Sequence, residues 1–240
     1  MNNLSVIVPF FNEEKYLEES VTRLLDQEIF SKIILVNDCS NDESLTIAKN
    51  LAEKFDIIET ISTKQNKGKG NAIKEGLESV ETTHVIVHDA DLEYFPDDIP
   101  EMFEIAVANQ NSLILGSRTI GHKKRISLYK TTYFAQKIYA LIFSLLNNCK
   151  ISDIASCYWL ISTDSLREMN ISSEGFSIEV EVLSKALRNK IKVIETPIKY
   201  HARSYDDGKK IKIYDGLQIL IKIVTLSKAF SFLNFFKIHK

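Results

Sequence analysis

Short, mostly continuous apolar runs that recur between helical stretches limit what this chain can fold into. Leu4-Ser5-Val6-Ile7-Val8-Pro9, Ile33-Ile34-Leu35-Val36, Ile57 to Ile61, Val85-Ile86-Val87 and Leu113-Ile114-Leu115 are five such runs. Between them apolar residues return at helical spacing, as in Leu17, Val21, Leu24 and Leu25 at i, i+4, i+7 and i+8. A strand with one wet face alternates polar and apolar residues, whereas a continuous run is buried on both sides. Strands of that kind, alternating with helices, predict an α/β fold with a mostly parallel central sheet and helices on both faces.

Polar residues gather where these runs end: Asn12, Asp38, Asp89, Asp91 and Arg118. In open α/β sheets that edge is where ligands bind. The most loaded end is His88-Asp89-Ala90-Asp91-Leu92-Glu93. Aspartates at i and i+2 on extended chain point the same way, so both can serve one hard cation and the phosphates it carries; a strand ending in a turn is the plainer alternative. Lys67-Gly68-Lys69-Gly70-Asn71 has neither the spacing of a Walker loop nor a full G-x-G-x-x-G. Two glycines ahead of a helix let an anion approach backbone N–H groups, or simply make a turn. Ser40-Asn41-Asp42-Glu43 reads as a capping box opening a helix to about Lys54. His88 and His201 lie near these motifs and are read as packed or surface residues, and Tyr158 and Trp159 as core aromatics.

Further along, helices are expected over 126–148 and over Ser177 to Asn189, and strands over Cys157 to Ile161 and Lys192 to Tyr200. Residues 1–212 are taken as one domain and 213–240 as a C-terminal amphipathic helix. From Lys209 to Lys240 there are seven lysines and one acid, Asp215, interleaved with Leu, Ile and Phe. Such a helix either lies on an anionic membrane surface or packs on the domain with its lysines in water; segment 126–148 poses the same choice. Lys130, Lys137, Lys222 and Lys228 interrupt the two longest apolar segments, so no spanning helix is expected. A net charge of −2 gives no pull toward nucleic acid. Cys39, Cys149 and Cys157 lack metal-ligand spacing, and their odd number suits a reducing, cytoplasmic setting.

Taken together, Val6–Glu13, Asn37–Asp42, Asn66–Gly70, Asp89-Ala90-Asp91 and Gly116-Ser117-Arg118 resemble, in order and spacing, a family 2 glycosyltransferase of the Rossmann-like GT-A fold. Asp153–Tyr158, Gly175–Glu181, Glu195–Tyr200 and Arg203–Lys210 are similar to the dolichyl- or polyprenyl-phosphate sugar synthase branch. The resemblance implies an inverting transfer of a hexose from a nucleoside-diphosphate sugar, of the GDP-mannose or UDP-glucose type, to a polyprenyl phosphate. It places Pro9, Asn12 and Glu13 in the nucleotide pocket, Asp38 on the base, and Lys67 and Gly70 near the nucleotide. Asp89 and Asp91 then hold the ribose and a divalent metal, Mg2+ or Mn2+, with Glu93 as a further ligand. The implied catalytic set is Asp91, Arg118, Glu181 and Arg203, the arginines meeting phosphate oxygens. A lipid phosphate is already anionic and needs no strong base. A saccharide hydroxyl, the alternative acceptor, needs a carboxylate, for which Glu179, Glu181 and Asp153 are candidates. A non-catalytic nucleotide-sugar binding protein is a further alternative, against which the Asp89/Asp91 pair weighs. Membrane contact, if present, is peripheral.

Overall fold

The computed structural model describes residues 3–126, 130–203 and 213–230. Its first half runs β1 (Leu4–Phe10), α1 (Leu17–Leu25), β2 (Phe30–Asn37), α2 (Ser44–Lys54), β3 (Ile58–Ser62), α3 (Lys69–Glu78) and β4 (His84–Val87). There follow α4 (Ile99–Ala108), β5 (Ser112–Ser117), β6 (Arg125–Ile126), α5 (Lys130–Asn147) and β7 (Trp159–Ser162). The last elements are α6 (Thr163–Glu168), α7 (Ile178–Arg188), β8 (Lys192–Pro197), β9 (Tyr200–His201) and α8 (Ile213–Thr225). The expected loop residues 204–210 and the end of the expected C-terminal helix, 231–240, lie outside the described residues.

Seven strands form one sheet in the order β3-β2-β1-β4-β7-β5-β8. All neighbours are parallel except β7, which is antiparallel to both β4 and β5. Trp159-Leu160-Ile161 is apolar and buried throughout, so its composition carries no sign of direction. Strand β1 pairs with β2 on one side and β4 on the other. The chain therefore steps outward to β3 and returns across β1, leaving a crevice at the carboxyl ends of β1 and β4.

The continuous apolar runs are explained by two cores. Val6, Val8, Ile33 and Leu35 face one layer, with Leu17, Val21 and Leu24 of α1 and Met102 of α4. Ile7, Ile34, Val36, Val85 and Val87 face the other, with Ile73 of α3, Phe143 of α5 and Leu183 of α7. Each fully buried aliphatic side chain is worth about 1.5–3 kcal/mol, so a strand with both sets has no polar face to spare.

The expected capping box does not form. The Ser40 hydroxyl accepts from the Asn12 N–H instead, and the Glu43 N–H donates to Glu14. Helix α2 opens at Ser44, whose N–H donates to Asp42. The glycine-rich loop also has a structural duty. Gly68 has φ +98°, and a Cβ at Gly70 would run into the Ser173 carbonyl oxygen. The Asn71 N–H donates to the Glu174 carbonyl at 3.0 Å, so α3 enters against the segment leading into α7.

Gly70→Ala should therefore displace segment 173–175 and destabilise the fold by about 1–3 kcal/mol, as overpacking does. Thermal unfolding should show a loss of several degrees, at roughly 2–4 °C per kcal/mol for a chain of this size; an unchanged midpoint would contradict this packing.

Candidate functional site

The crevice at the ends of β1 and β4 is lined with carboxylates. Strand β1 leads to Asn12 and Glu13, and β4 to Asp89, Asp91 and Glu93. The turn after β4 is strained, because Leu92 has φ +61°, an uncommon conformation for a branched side chain. The Asp91 carboxylate stabilises it by accepting from the Glu93 N–H at 3.1 Å. Beside it lies a cleft of about 270 Å3 lined by Tyr16, Asp91, Leu92, His201, Ala202 and Arg203.

Two cations answer these acids. Arg203 donates from Nη1 and Nη2 to the two oxygens of Glu13, at 3.0 and 3.2 Å, and lies 3.4 Å from Asp91. Its guanidinium stacks 5.3 Å above the Tyr16 ring. Lys69, the first residue of α3, reaches both oxygens of Asp89 at 2.8 and 2.9 Å and Glu179 Oε1 at 2.7 Å. Burial opposes the charge on Lys69, but Asp89 and Glu179 outweigh it, and its pKa stands well above the ordinary value. Burial likewise opposes the charge on Asp89, and Lys69 pulls it below the usual carboxylate range. Asp91 has only the longer contact to Arg203: burial, then the charges of Glu93 and Asp89, push it up to about 8 against the pull of Arg203.

This arrangement suits a divalent cation. Five carboxylates, Glu13, Asp89, Asp91, Glu93 and Glu179, gather around the two cations Lys69 and Arg203, and every donor atom on offer is a hard oxygen. No three carboxylate, imidazole or thiol groups among the described residues converge on one point. A metal at Asp91 must complete its shell from ligand oxygens and water, as Mg2+ commonly does with phosphates.

Several of the expected site residues are engaged within the fold. Arg118 is buried and donates from Nε and Nη2 to both oxygens of Asp153, at 2.7 and 2.8 Å, and from Nη1 to the Tyr94 hydroxyl at 3.1 Å. It forms a core ion pair. Its partner Asp153 is pulled down by Arg118 despite its burial. Glu181 accepts from the Ser172 and Ser173 N–H groups and from Lys185. These bonds overcome burial and hold it at about 2, so it braces the entry to α7. Glu93, expected on a metal, accepts from the Tyr200 hydroxyl at 2.6 Å and the Arg203 N–H at 2.8 Å. Both its oxygens hold the segment Tyr200–Arg203.

Asp38 likewise holds the glycine-rich loop, through the Gly68 N–H at 2.7 Å, the Lys67 N–H at 3.3 Å and Thr63. The Lys67 side chain is exposed, and Gly70 faces segment 173–174 instead of the crevice. Pro9 is buried in β1 in register with Val36, and the Asn12 carboxamide accepts from the Asn41 N–H. His88 is neutral, with burial lowering it to about 4, and lies between Ser20 and Tyr158. Sequence reasoning missed Lys69; the available signal was its place between two glycines at the start of a helix.

Comparison with known proteins is consistent with this geometry. Residues 5–169 match the model of glycosyl transferase family 2. A dolichol-phosphate mannosyltransferase of Pyrococcus furiosus is 27% identical over 210 residues, 86% of this chain and 58% of that protein. The chain thus spans little more than half of that relative. A UDP-N-acetylglucosamine–dolichyl-phosphate N-acetylglucosaminyltransferase of Methanococcus voltae is 25% identical over 92% of this chain and 94% of its own length. The glucosyl-3-phosphoglycerate synthase of Mycobacterium tuberculosis, crystallised with Mn2+, UDP-glucose and phosphoglyceric acid, has a TM-score of 0.73 at 14% identity. That likeness, covering 94% of this chain and 79% of the other, speaks for the fold alone.

Arg118→Met should cost about 3–5 kcal/mol, because it strands Asp153 in the core, and Arg118→Met with Asp153→Leu should recover much of that. Thermal unfolding checks this. A single variant of unchanged stability but weakened phosphate binding would restore the expected ligand role.

Proposed function

Because the chain belongs to glycosyl transferase family 2, we propose that it moves a hexose from a nucleoside-diphosphate sugar to a polyprenyl phosphate, inverting the anomeric carbon. The observation that carries the donor half is the Asp89/Asp91 pair at the switch point of a mostly parallel sheet, beside an open cleft, with Asp91 left under-neutralised. Asp91 would hold a divalent cation and Asp89 the ribose. When bound, that cation offsets the charge that grows on the departing diphosphate. Arg203 adds a fixed positive charge at the rim of the cleft, with a buried Nε that no described group accepts from. Its hold on Glu13 and its stacking on Tyr16 keep it there.

The charge states narrow the bases open to a hydroxyl acceptor, whereas a phosphate acceptor needs none. A hydroxyl needs a base of near-neutral pKa, and Glu181 and Asp153 are both held low. A phosphate oxygen attacks already ionised. Of the three carboxylates named as bases for a hydroxyl acceptor, Glu179 alone is pushed up, by burial against the pull of Lys69.

A polyprenyl chain also needs an apolar landing, and α5 and α8 offer one. Phe134, Ile138, Leu141 and Leu145 are exposed along α5 at i, i+4, i+7 and i+11. In α8, Ile219 and Ile223 are buried in the core while Leu217, Ile221 and Val224 remain outside. A helix apolar on two sides is suited to burial on two sides: the domain covers one, and a lipid surface covers the other. No helix among the described residues is long and apolar enough to cross a membrane, so this contact is parallel to the bilayer.

A screen of GDP-mannose and UDP-glucose with a short polyprenyl phosphate and Mn2+ should reveal transfer, and Asp91→Asn should abolish it. An unaffected Asp91→Asn rate would sink the proposal. Since a metal must displace the Asp91 proton, Mn2+ affinity should climb about tenfold per pH unit up to about 8 and then level off; a flat profile from pH 6 to 9 in a Mn2+ titration contradicts that ligand. Flotation with anionic liposomes should capture the protein, and Leu141→Glu with Ile221→Glu should release it without lowering the unfolding temperature.

A further inference from the structure

Glu179 uses only half of its carboxylate. Oε1 binds Lys69 at 2.7 Å, whereas Oε2 is buried and has no hydrogen-bond partner. A buried ionisable oxygen without a donor is costly, and such atoms in native proteins call for an explanation. Glu179 cannot turn outward easily: it is in the first turn of α7 between buried Ile178 and Val180, with its side chain 7% exposed.

Lys69 cannot supply the missing bond. Its three N–H groups are matched by the three oxygens it already touches, two on Asp89 and one on Glu179. It acts as a clamp, setting Glu179 at a fixed distance from the strand-end aspartate. Glu181, two residues on, has its oxygens filled by the Ser172 and Ser173 backbone and by Lys185. Of the two first-turn acids of α7, only Glu179 keeps an idle acceptor, and it is the one beside Asp89.

A carboxylate oxygen repels phosphate and accepts from hydroxyl groups. Beside a donor site it therefore suits the sugar and not the diphosphate. We propose that Glu179 is a specificity-determining residue, whose Oε2 accepts a hydrogen bond from one hydroxyl of the transferred sugar. This rests on the donor-site reading above. A site built to bind a hydroxyl rejects the analogue lacking it far more strongly than an apolar pocket rejects an extra methylene, so one well-held carboxylate separates sugars that differ at a single position.

Binding measurements test this without requiring turnover. The full chain with Mn2+ is titrated with UDP, GDP, UDP-glucose, GDP-mannose, and the 2-, 3-, 4- and 6-deoxy analogues of whichever sugar donor binds tighter. The variants are Glu179→Ala and Glu179→Gln, the latter retaining the volume while replacing the second oxygen with an N–H2 group. In the parent, one deoxy analogue should bind ten- to hundredfold more weakly than the intact donor, the range of a hydrogen bond to a charged group. Both variants should lose a similar factor for the intact donor and cease to distinguish that analogue, while the nucleoside diphosphate alone binds unchanged. Equal losses for all analogues, or an equal loss for the diphosphate alone, would reduce Glu179 to a brace for Lys69 and overturn the proposal. Failure of the parent to bind any nucleotide or nucleotide sugar would overturn the donor-site reading itself, and this inference with it.

Discussion

One buried ammonium joins the two halves of the site. Lys69 stands at the head of α3 and touches Asp89 at the end of β4 and Glu179 at the start of α7. Glu179, the deeper of the two, does not tolerate its place alone, since an ionised group away from water is costly unless paired. The position of the ammonium depends in turn on the loop before it. Asp38 grips the Lys67 and Gly68 N–H groups, and the missing side chains at Gly68 and Gly70 let segment 173–175 close onto α3. The glycine-rich stretch thus serves packing first, and the packing delivers a lysine to the crevice.

The charged groups fall into two kinds that look alike in a list of residues. Arg118 with Asp153, and Glu181 with its serine N–H groups and Lys185, are closed arrangements in which every oxygen has a donor. Closed pairs hold the frame. Around Asp91 the balance is open: it is pushed up to about 8, Arg203 sits at a loose 3.4 Å, and Glu179 keeps an idle oxygen. Only open groups have interactions left to offer an incoming cation, phosphate or hydroxyl. The apolar outer faces of α5 and α8 are likewise surface that the described fold leaves uncovered.

Much of the frame was legible in the residues. The alternation of apolar runs and helical spacing is a consequence of burying a sheet on both faces, and β1 to β5 lie close to where those runs predict. The antiparallel sense of β7 was not legible, because a strand apolar on both faces looks the same in either direction. Strands β6 and β9, two residues each, carry too little pattern to read. The capping box at Ser40 failed for a related reason. A serine hydroxyl serves whichever N–H comes nearest, and here Asn12, 28 residues away, came nearer than Glu43.

The site divides along the same line. By itself the sequence determined which residue types collect at the strand ends, and with them the Asp89/Asp91 pair and the family, because local spacing decides what a strand carries at its tip. Only the tertiary structure decided which charges are spent and which are free. Arg118, Glu181 and Glu93 promised chemistry and turned out to be engaged, whereas Lys69 reached the crevice that Lys67, two residues earlier, does not. A side chain's partners come from distant parts of the chain, as Arg203 meets Glu13 across 190 residues, and no local pattern records that meeting.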